Sequence, residues 1–92
     1  MYLIALSLQE ADGEYESLFN AIKALGPWSN RLDEVWMVES KLSARQIRDL
    51  LKPHLPSGDR LFTGQLDRTW SATGMPKTFT SWMQRRNFGQ GA

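Results

Sequence analysis

The first eight residues, Met1-Tyr-Leu-Ile-Ala-Leu-Ser-Leu8, form an apolar run of strand length, closed by the polar Gln9-Glu10-Ala-Asp12-Gly13. A run apolar at successive positions has two faces to bury, which places it inside a sheet and not at its edge. Residues 2–8 are therefore read as a first, central strand. Tyr2, Ile4, Leu6 and Leu8 share one face; Leu3, Ala5 and Ser7 share the other. A chain of 92 residues buries only about two-thirds of its unfolded surface. That size allows one domain, residues 1–92, with a small sheet covered on one face by two helices. It leaves a second sheet face that favours a partner subunit.

The rest of the pattern alternates helix and strand. Tyr15, Leu18, Phe19, Ile22 and Leu25 make a buried stripe for a helix over 14–25, with Glu14 and Glu16 in its first turn and Gly26-Pro27 as its stop. Residues 28–32 and 35–39 read as two strands, joined near Asp33-Glu34. The second of these is apolar on both faces and so also central. Ser43-Ala-Arg-Gln46 is a capping box, and Leu42 with Ile47 a hydrophobic staple. They open a second helix with Ile47, Leu50 and Leu51 toward the sheet and Arg45, Arg48 and Lys52 toward water. Pro53 limits its end, and Pro56-Ser-Gly58 is a loop. Residues 60–66 form the last strand, where Gly64 marks a bulge, an edge or a close approach. Met75-Pro76 opens a third helix with Pro in its first position and Phe79, Trp82 and Met83 on its apolar side. Asn87 to Ala92 is read as frayed. The order β-α-β-β-α-β over 1–66, with a helical extension over 67–92, is that of an α+β, ferredoxin-like sandwich.

Composition narrows the function classes. With no Cys there is no disulfide framework and no thiolate metal site, in keeping with a cytoplasmic protein. The apolar start lacks a basic leader, and no run approaches the ~20 residues that span a bilayer; no membrane partner is expected. Net charge is +1, weak for a dedicated non-specific nucleic-acid binder. The charges are unevenly placed, acids prevailing before Glu39 and bases from Lys41 onward, which hints at one positive surface.

Catalytic signals are sparse. The one histidine, His54, sits beside Pro53 at a helix end and reads as a helix-end cation. Glu10, Asp12, Glu14 and Glu16 lack calcium-loop spacing and read as turn and helix-start residues. Ser7 has no nucleophile-elbow glycines and no obvious base. Four Trp is a high count for this length. Trp36 should be core, whereas Trp28, Trp70 and Trp82 suit either packing and interface contacts or base stacking beside Arg68, Arg85 and Arg86.

Tyr2-Leu-Ile4, Tyr15-x-x-Leu18, Ala21-Ile-Lys23, Leu32-Asp33-x-x-Trp36-x-Val38, Leu42-Ser43, Ile47-Arg48, Leu51-Lys-Pro-His54, Asp59-Arg-Leu61 and Pro76 followed by Trp82 resemble a group of small bacterial proteins labelled SinR-like. No helix-turn-helix pattern accompanies the label. That group is similar to CRISPR-associated protein 2 and virulence-associated protein D, which are ferredoxin-like homodimers that include metal-dependent nucleases. The resemblance implies a homodimer. It also places Ser7 where the wider family has a metal-supporting Asp, and Ser is a poor magnesium ligand. The expected function is thus a non-enzymatic dimeric binding or interaction module in a phage-defence, mobile-element or toxin–antitoxin setting. No catalytic residue, metal or cofactor is expected. Nucleic acid is a candidate ligand, held at its phosphates by Arg45, Arg48, Lys52, Arg85 and Arg86. Two alternatives stand beside it. One is a nuclease using Ser7, Glu10 or Asp12 with magnesium or manganese. The other is a structural dimer that recognises a protein partner.

Overall fold

The alternating pattern of the N-terminal run becomes a strand whose residues are buried and half-buried in turn, β1 (Tyr2–Ser7). In this computed structural model, residues 1–9, 15–56 and 58–88 are described. The chain continues with α1 (Glu16–Lys23), β2 (Trp28–Leu32), β3 (Val35–Val38), α2 (Ala44–Leu51), a 3₁₀ turn (Lys52–His54), β4 (Arg60–Gln65) and α3 (Lys77–Gln84). The four strands form one antiparallel sheet in the order β2-β3-β1-β4. β1 and β3, both apolar on two sides, occupy the interior positions.

Each face of the sheet has its own core. Tyr2, Ile4 and Leu6 of β1 and Trp36 and Val38 of β3 pack against Leu18 and Ile22 of α1 and Ile47 and Leu51 of α2. On the opposite face, Met1, Met37 and Leu66 meet Phe79 and Met83 of α3, with Phe88 closing the cluster. The third helix thus covers one end of the second face. A sheet with a helical layer on both sides solves the burial problem that a two-sided apolar strand creates.

The register also fixes where backbone groups point. Leu6 N donates to Glu34 O at 2.9 Å, and Leu66 N donates to Met1 O at 2.8 Å. Hydrogen-bonded pairs alternate in an antiparallel ladder. Residues 2, 4 and 6 of β1 therefore bond toward β3, and residues 3, 5 and 7 toward Gly64, Phe62 and Arg60 of β4.

Several details differ from the sequence expectation. The first helix is shorter, starting at Glu16; Glu14 and the Asp12-Gly13 turn lie outside the described residues. Leu50 is 53% exposed and does not face the sheet. The inward stripe of α2 is only Ile47 and Leu51, four apart, and Leu50 falls on the flank. Pro76 is the N-cap of α3 and not its first helical residue. Asn87 and Phe88 are held in place: Asn87 N donates to Glu39 Oε1 at 2.7 Å, and Phe88 is buried. Of the three meanings expected for Gly64, the edge holds and the bulge does not: β4 is an outer strand, and it pairs with β1 without a break from Tyr2–Gln65 to Ser7–Arg60. The irregularity lies in β2, between Ser29 and Leu32. The Asn30 side chain donates there to Asp33 O at 2.7 Å and Val35 O at 3.2 Å.

Candidate functional site

The C-terminal end of β1 presents polar groups where the chain leaves the sheet. Ser7 is half-buried and lies across from Arg60. Its Oγ accepts from Gln9 Nε2 at 3.2 Å. Gln9 N donates to Asp59 Oδ1 at 2.9 Å, and Leu8 N donates to Glu34 Oε2 at 3.5 Å. This arrangement fastens three chain segments by hydrogen bonds, and among the described residues it gives Ser7 no base. Glu10 and Asp12, named with Ser7 in the nuclease alternative, lie outside the described residues. A hard divalent cation favours carboxylate oxygens. The hydroxyl of Ser7, already engaged by Gln9, does not fit that requirement. Among the described residues, no three His, Cys, Asp or Glu side chains gather as a metal-holding group. His54 is half-buried in the 3₁₀ turn.

The five basic residues expected to contact phosphates fall into two sets. Arg45, Arg48 and Lys52 are exposed on α2 and the turn that follows it, on the side of the sheet that α1 and α2 cover. Arg85 and Arg86 end α3, on the other side. The sequence shows which helix carries a cation but not which side of the sheet that helix takes. Arg48 is engaged by Asp49 through Nε at 3.0 Å and Nη2 at 2.8 Å. Arg86 is largely committed to the fold. Its Nε donates to Trp82 O at 3.2 Å, its guanidinium sits 4.9 Å from the Trp82 ring centre, and Glu39 Oε1 lies 3.9 Å away. Glu39 also faces the Met1 ammonium, which burial holds below its ordinary pKa while the Glu39 charge pulls it the other way.

The tryptophans divide as well. Trp36 is core and makes tilted ring contacts with Phe19 at 5.6 Å and Trp28 at 5.3 Å, centre to centre. Trp70 and Trp82 pack against the α3 cluster. Trp28 is 41% exposed on β2, with Lys23 Nζ 5.0 Å from its ring centre. It opens onto a groove of about 840 Å³ along the outer edge of β2, bounded by Lys23 on the α1 side and Thr78, Trp82 and Arg85 on the α3 side.

The feature that sequence reasoning missed is a row across the sheet. Leu32 of β2 pairs with Val35 of β3, Val35 with Ala5 of β1, and Ala5 with Phe62 of β4. Ala5 and Val35 alternate with the residues of the α1/α2 core, so the row lies on the opposite face. Its end residues are the exposed ones, Phe62 at 68% and Leu32 at 45%. The alternation in each strand signals such a row. Only the register and the placement of α3 show that it stays open.

Among the described residues, fold and surfaces define a small α+β domain with a four-stranded antiparallel sheet and three helices, none of which covers the Phe62 end of its second face. No protein-family model, no curated protein and no solved structure matches this chain. No helix among the described residues is long and apolar enough to cross a membrane.

Proposed function

We propose that this chain is a ferredoxin-like domain acting as a homodimeric, non-enzymatic binding module. The β-α-β-β-α-β order and the sheet order β2-β3-β1-β4 support the fold reading. The observation that carries the dimer is the open row Leu32–Val35–Ala5–Phe62. A contiguous apolar strip of this kind is costly to leave in water and marks an interaction surface. The row is also suited to a second copy of itself. Its β2 end adjoins the exposed acids Asp33 and Glu34, and its β4 end adjoins the exposed Arg60. A two-fold axis through the middle of the row sets each acidic end against a basic one. The phage-defence, mobile-element or toxin–antitoxin setting comes from the family resemblance and is an analogy of fold.

Light scattering coupled to size exclusion tests the dimer. The native chain should run at twice its 10.5 kDa mass. Phe62→Ser and Leu32→Ser should run as monomers with unchanged circular dichroism. A native chain that stays monomeric at high concentration overturns the proposal.

Nucleic-acid binding keeps one observation in its favour. Arg45, Arg48 and Lys52 follow at helical spacing and are all exposed. Contacts to phosphate through this set would be strongly salt-dependent and weakened by Arg45→Glu with Lys52→Glu. Retention of labelled oligonucleotides that is indifferent to salt and to both changes would refute it.

A further inference from the structure

The outer edge of β4 presents unpaired backbone groups. Gly64, Phe62 and Arg60 bond inward to β1, so the N–H and C=O of Leu61, Thr63 and Gln65 point away from the sheet. Among the described residues no strand lies beyond β4, and these outward groups have no backbone partner. The edge lacks two of the usual protections, although the exposed Arg60 puts one charge at its start. It has six residues, no bulge and no proline, whereas the opposite edge, β2, is interrupted between Ser29 and Leu32.

A groove of about 290 Å³ runs beside this edge, between α2 and β4, lined by Ala44, Arg45, Arg48, Leu61, Phe62 and Thr63. It holds two guanidinium groups and no carboxylate. Arg48 is occupied by Asp49; Arg45 makes no ion pair among the described residues. Inside the groove, Thr63 Oγ1 is closed off from solvent without a hydrogen-bond partner. On the other side of the edge stands the exposed Phe62 ring.

We infer that the β4 edge accepts an extended acidic segment of another protein as an added strand. Backbone pairing with Leu61, Thr63 and Gln65 supplies the attachment, and the alternation of side chains supplies the choice. Residues of the incoming strand that lean toward α2 meet Arg45, which selects carboxylates. Residues of the alternate set lie beside Phe62, which selects apolar side chains. A second copy of this chain is the poorer occupant. Two β4 strands paired about a two-fold axis near Thr63 would place the Arg45 and Arg48 of both copies together, with no carboxylate in the groove lining to separate them.

The proposal shares Phe62 with the dimer surface, but its attachment points, Arg45 and the outward backbone of Leu61, Thr63 and Gln65, lie outside that row; it is tested with a probe. A capped fluorescent peptide alternating glutamate and valine over the six-residue length of β4 is titrated into the native protein and followed by anisotropy. Saturable binding is expected. Two changes should each weaken it at least about tenfold: N-methylation of alternate amides in the peptide, which removes its donors, and Arg45→Glu in the protein. Thr63→Pro should do the same while keeping the β1 ladder, because the Thr63 N–H points outward. The Leu32→Ser variant, altered at the far edge of the sheet, should still bind the peptide saturably, and its Arg45→Glu derivative should lose that binding. No saturation up to about 1 mM, or equal binding of the N-methylated peptide, overturns the inference. Displacement of the peptide by single-stranded oligonucleotides as effectively as by unlabelled peptide also overturns it, in favour of a general polyanion surface.

Discussion

Among the described glycines, Gly26 is the one with least room for a side chain. It stands between α1 and β2 with φ +152°, and a Cβ there would overlap the carbonyl oxygen of Glu39. That carbonyl cannot easily withdraw, because Glu39 N donates to Pro27 O at 2.9 Å and Glu39 Oε1 accepts from Asn87 N. Gly26→Ala therefore combines two costs. Backbone strain at a sparsely populated φ is about 1–3 kcal/mol, and overpacking against fixed neighbours is about 1–3 kcal/mol. Gly74 supplies the control. It also has a positive φ, +76°, but nothing lies within 4 Å of its added Cβ. Gly74→Ala carries strain alone, partly offset by a gain of about 0.4–1 kcal/mol from a less flexible unfolded chain. A chain of 92 residues has a total stability of roughly 5–14 kcal/mol. Each kcal/mol moves the melting temperature by about 4–8 °C at this size. Gly26→Ala, at about 3 kcal/mol once the same unfolded-chain gain is subtracted, should lower it by roughly 12–24 °C. Gly74→Ala, at about 1 kcal/mol, should lower it by less than about 8 °C. Thermal and urea unfolding followed by circular dichroism measure both. Equal losses for the two variants would refute the close approach between Gly26 and Glu39.

Two further stability effects follow from α2. Leu51→Ala, which empties a fully buried position, should cost about 2–5 kcal/mol in urea unfolding, whereas the adjacent Leu50→Ala should stay within about 0.5 kcal/mol of the native chain. Ser43→Ala removes the acceptor for Gln46 N at 3.2 Å and undoes the reciprocal cap. It should cost about 1 kcal/mol, and a loss no larger than that of an exposed control such as Arg45→Ala would show that the cap carries no weight.

What could be read in advance was local. The capping box forms as its spacing indicates, with Ser43 N donating to Gln46 Oε1 at 2.9 Å, because every partner lies within one turn. Strands β1 and β3 are interior because their own sequences need two covered faces. The misreadings are all tertiary. Leu50 and Leu51 are adjacent and equally apolar, and only the seating of α2 on the sheet decides which goes inward. Phe88 sits among glycine and polar neighbours that suggest fraying, yet Glu39, 48 residues away along the chain, anchors the amide beside it. Phe62, Gly64 and Leu66 share a face by alternation, but α3 covers only the Leu66 end, and that leaves Phe62 open. The basic residues show the same limit at the level of function. Five cations that look like one set in sequence are separated by the thickness of the sheet.

The enzymatic alternative can be tested at Ser7. The nuclease alternative calls for an aspartate at the end of β1; a hydroxyl stands there, bonded to Gln9 and across from Arg60. Ser7→Asp would add a carboxylate at a strand end where Asp59 and Glu34 already accept backbone amides from residues 8 and 9. A magnesium-type cation is commonly held by one or two carboxylates with water completing its shell. If the substitution at position 7 were the sole defect in a nuclease site, Ser7→Asp would restore cleavage. The opposing features are local: Asp59 Oδ1 and Glu34 Oε2 already accept backbone amides, and Arg60, paired with Ser7 across the ladder, would bring a cationic side chain to the same face as a new carboxylate. The expected result with labelled single- and double-stranded RNA and DNA is therefore no cleavage, by native or Ser7→Asp protein, in manganese or in chelator. Metal-dependent cleavage that scales with protein and appears only in Ser7→Asp would identify a degenerate active site. The same activity in the native chain, lost on changing Glu10 and Asp12, would overturn the non-enzymatic reading altogether.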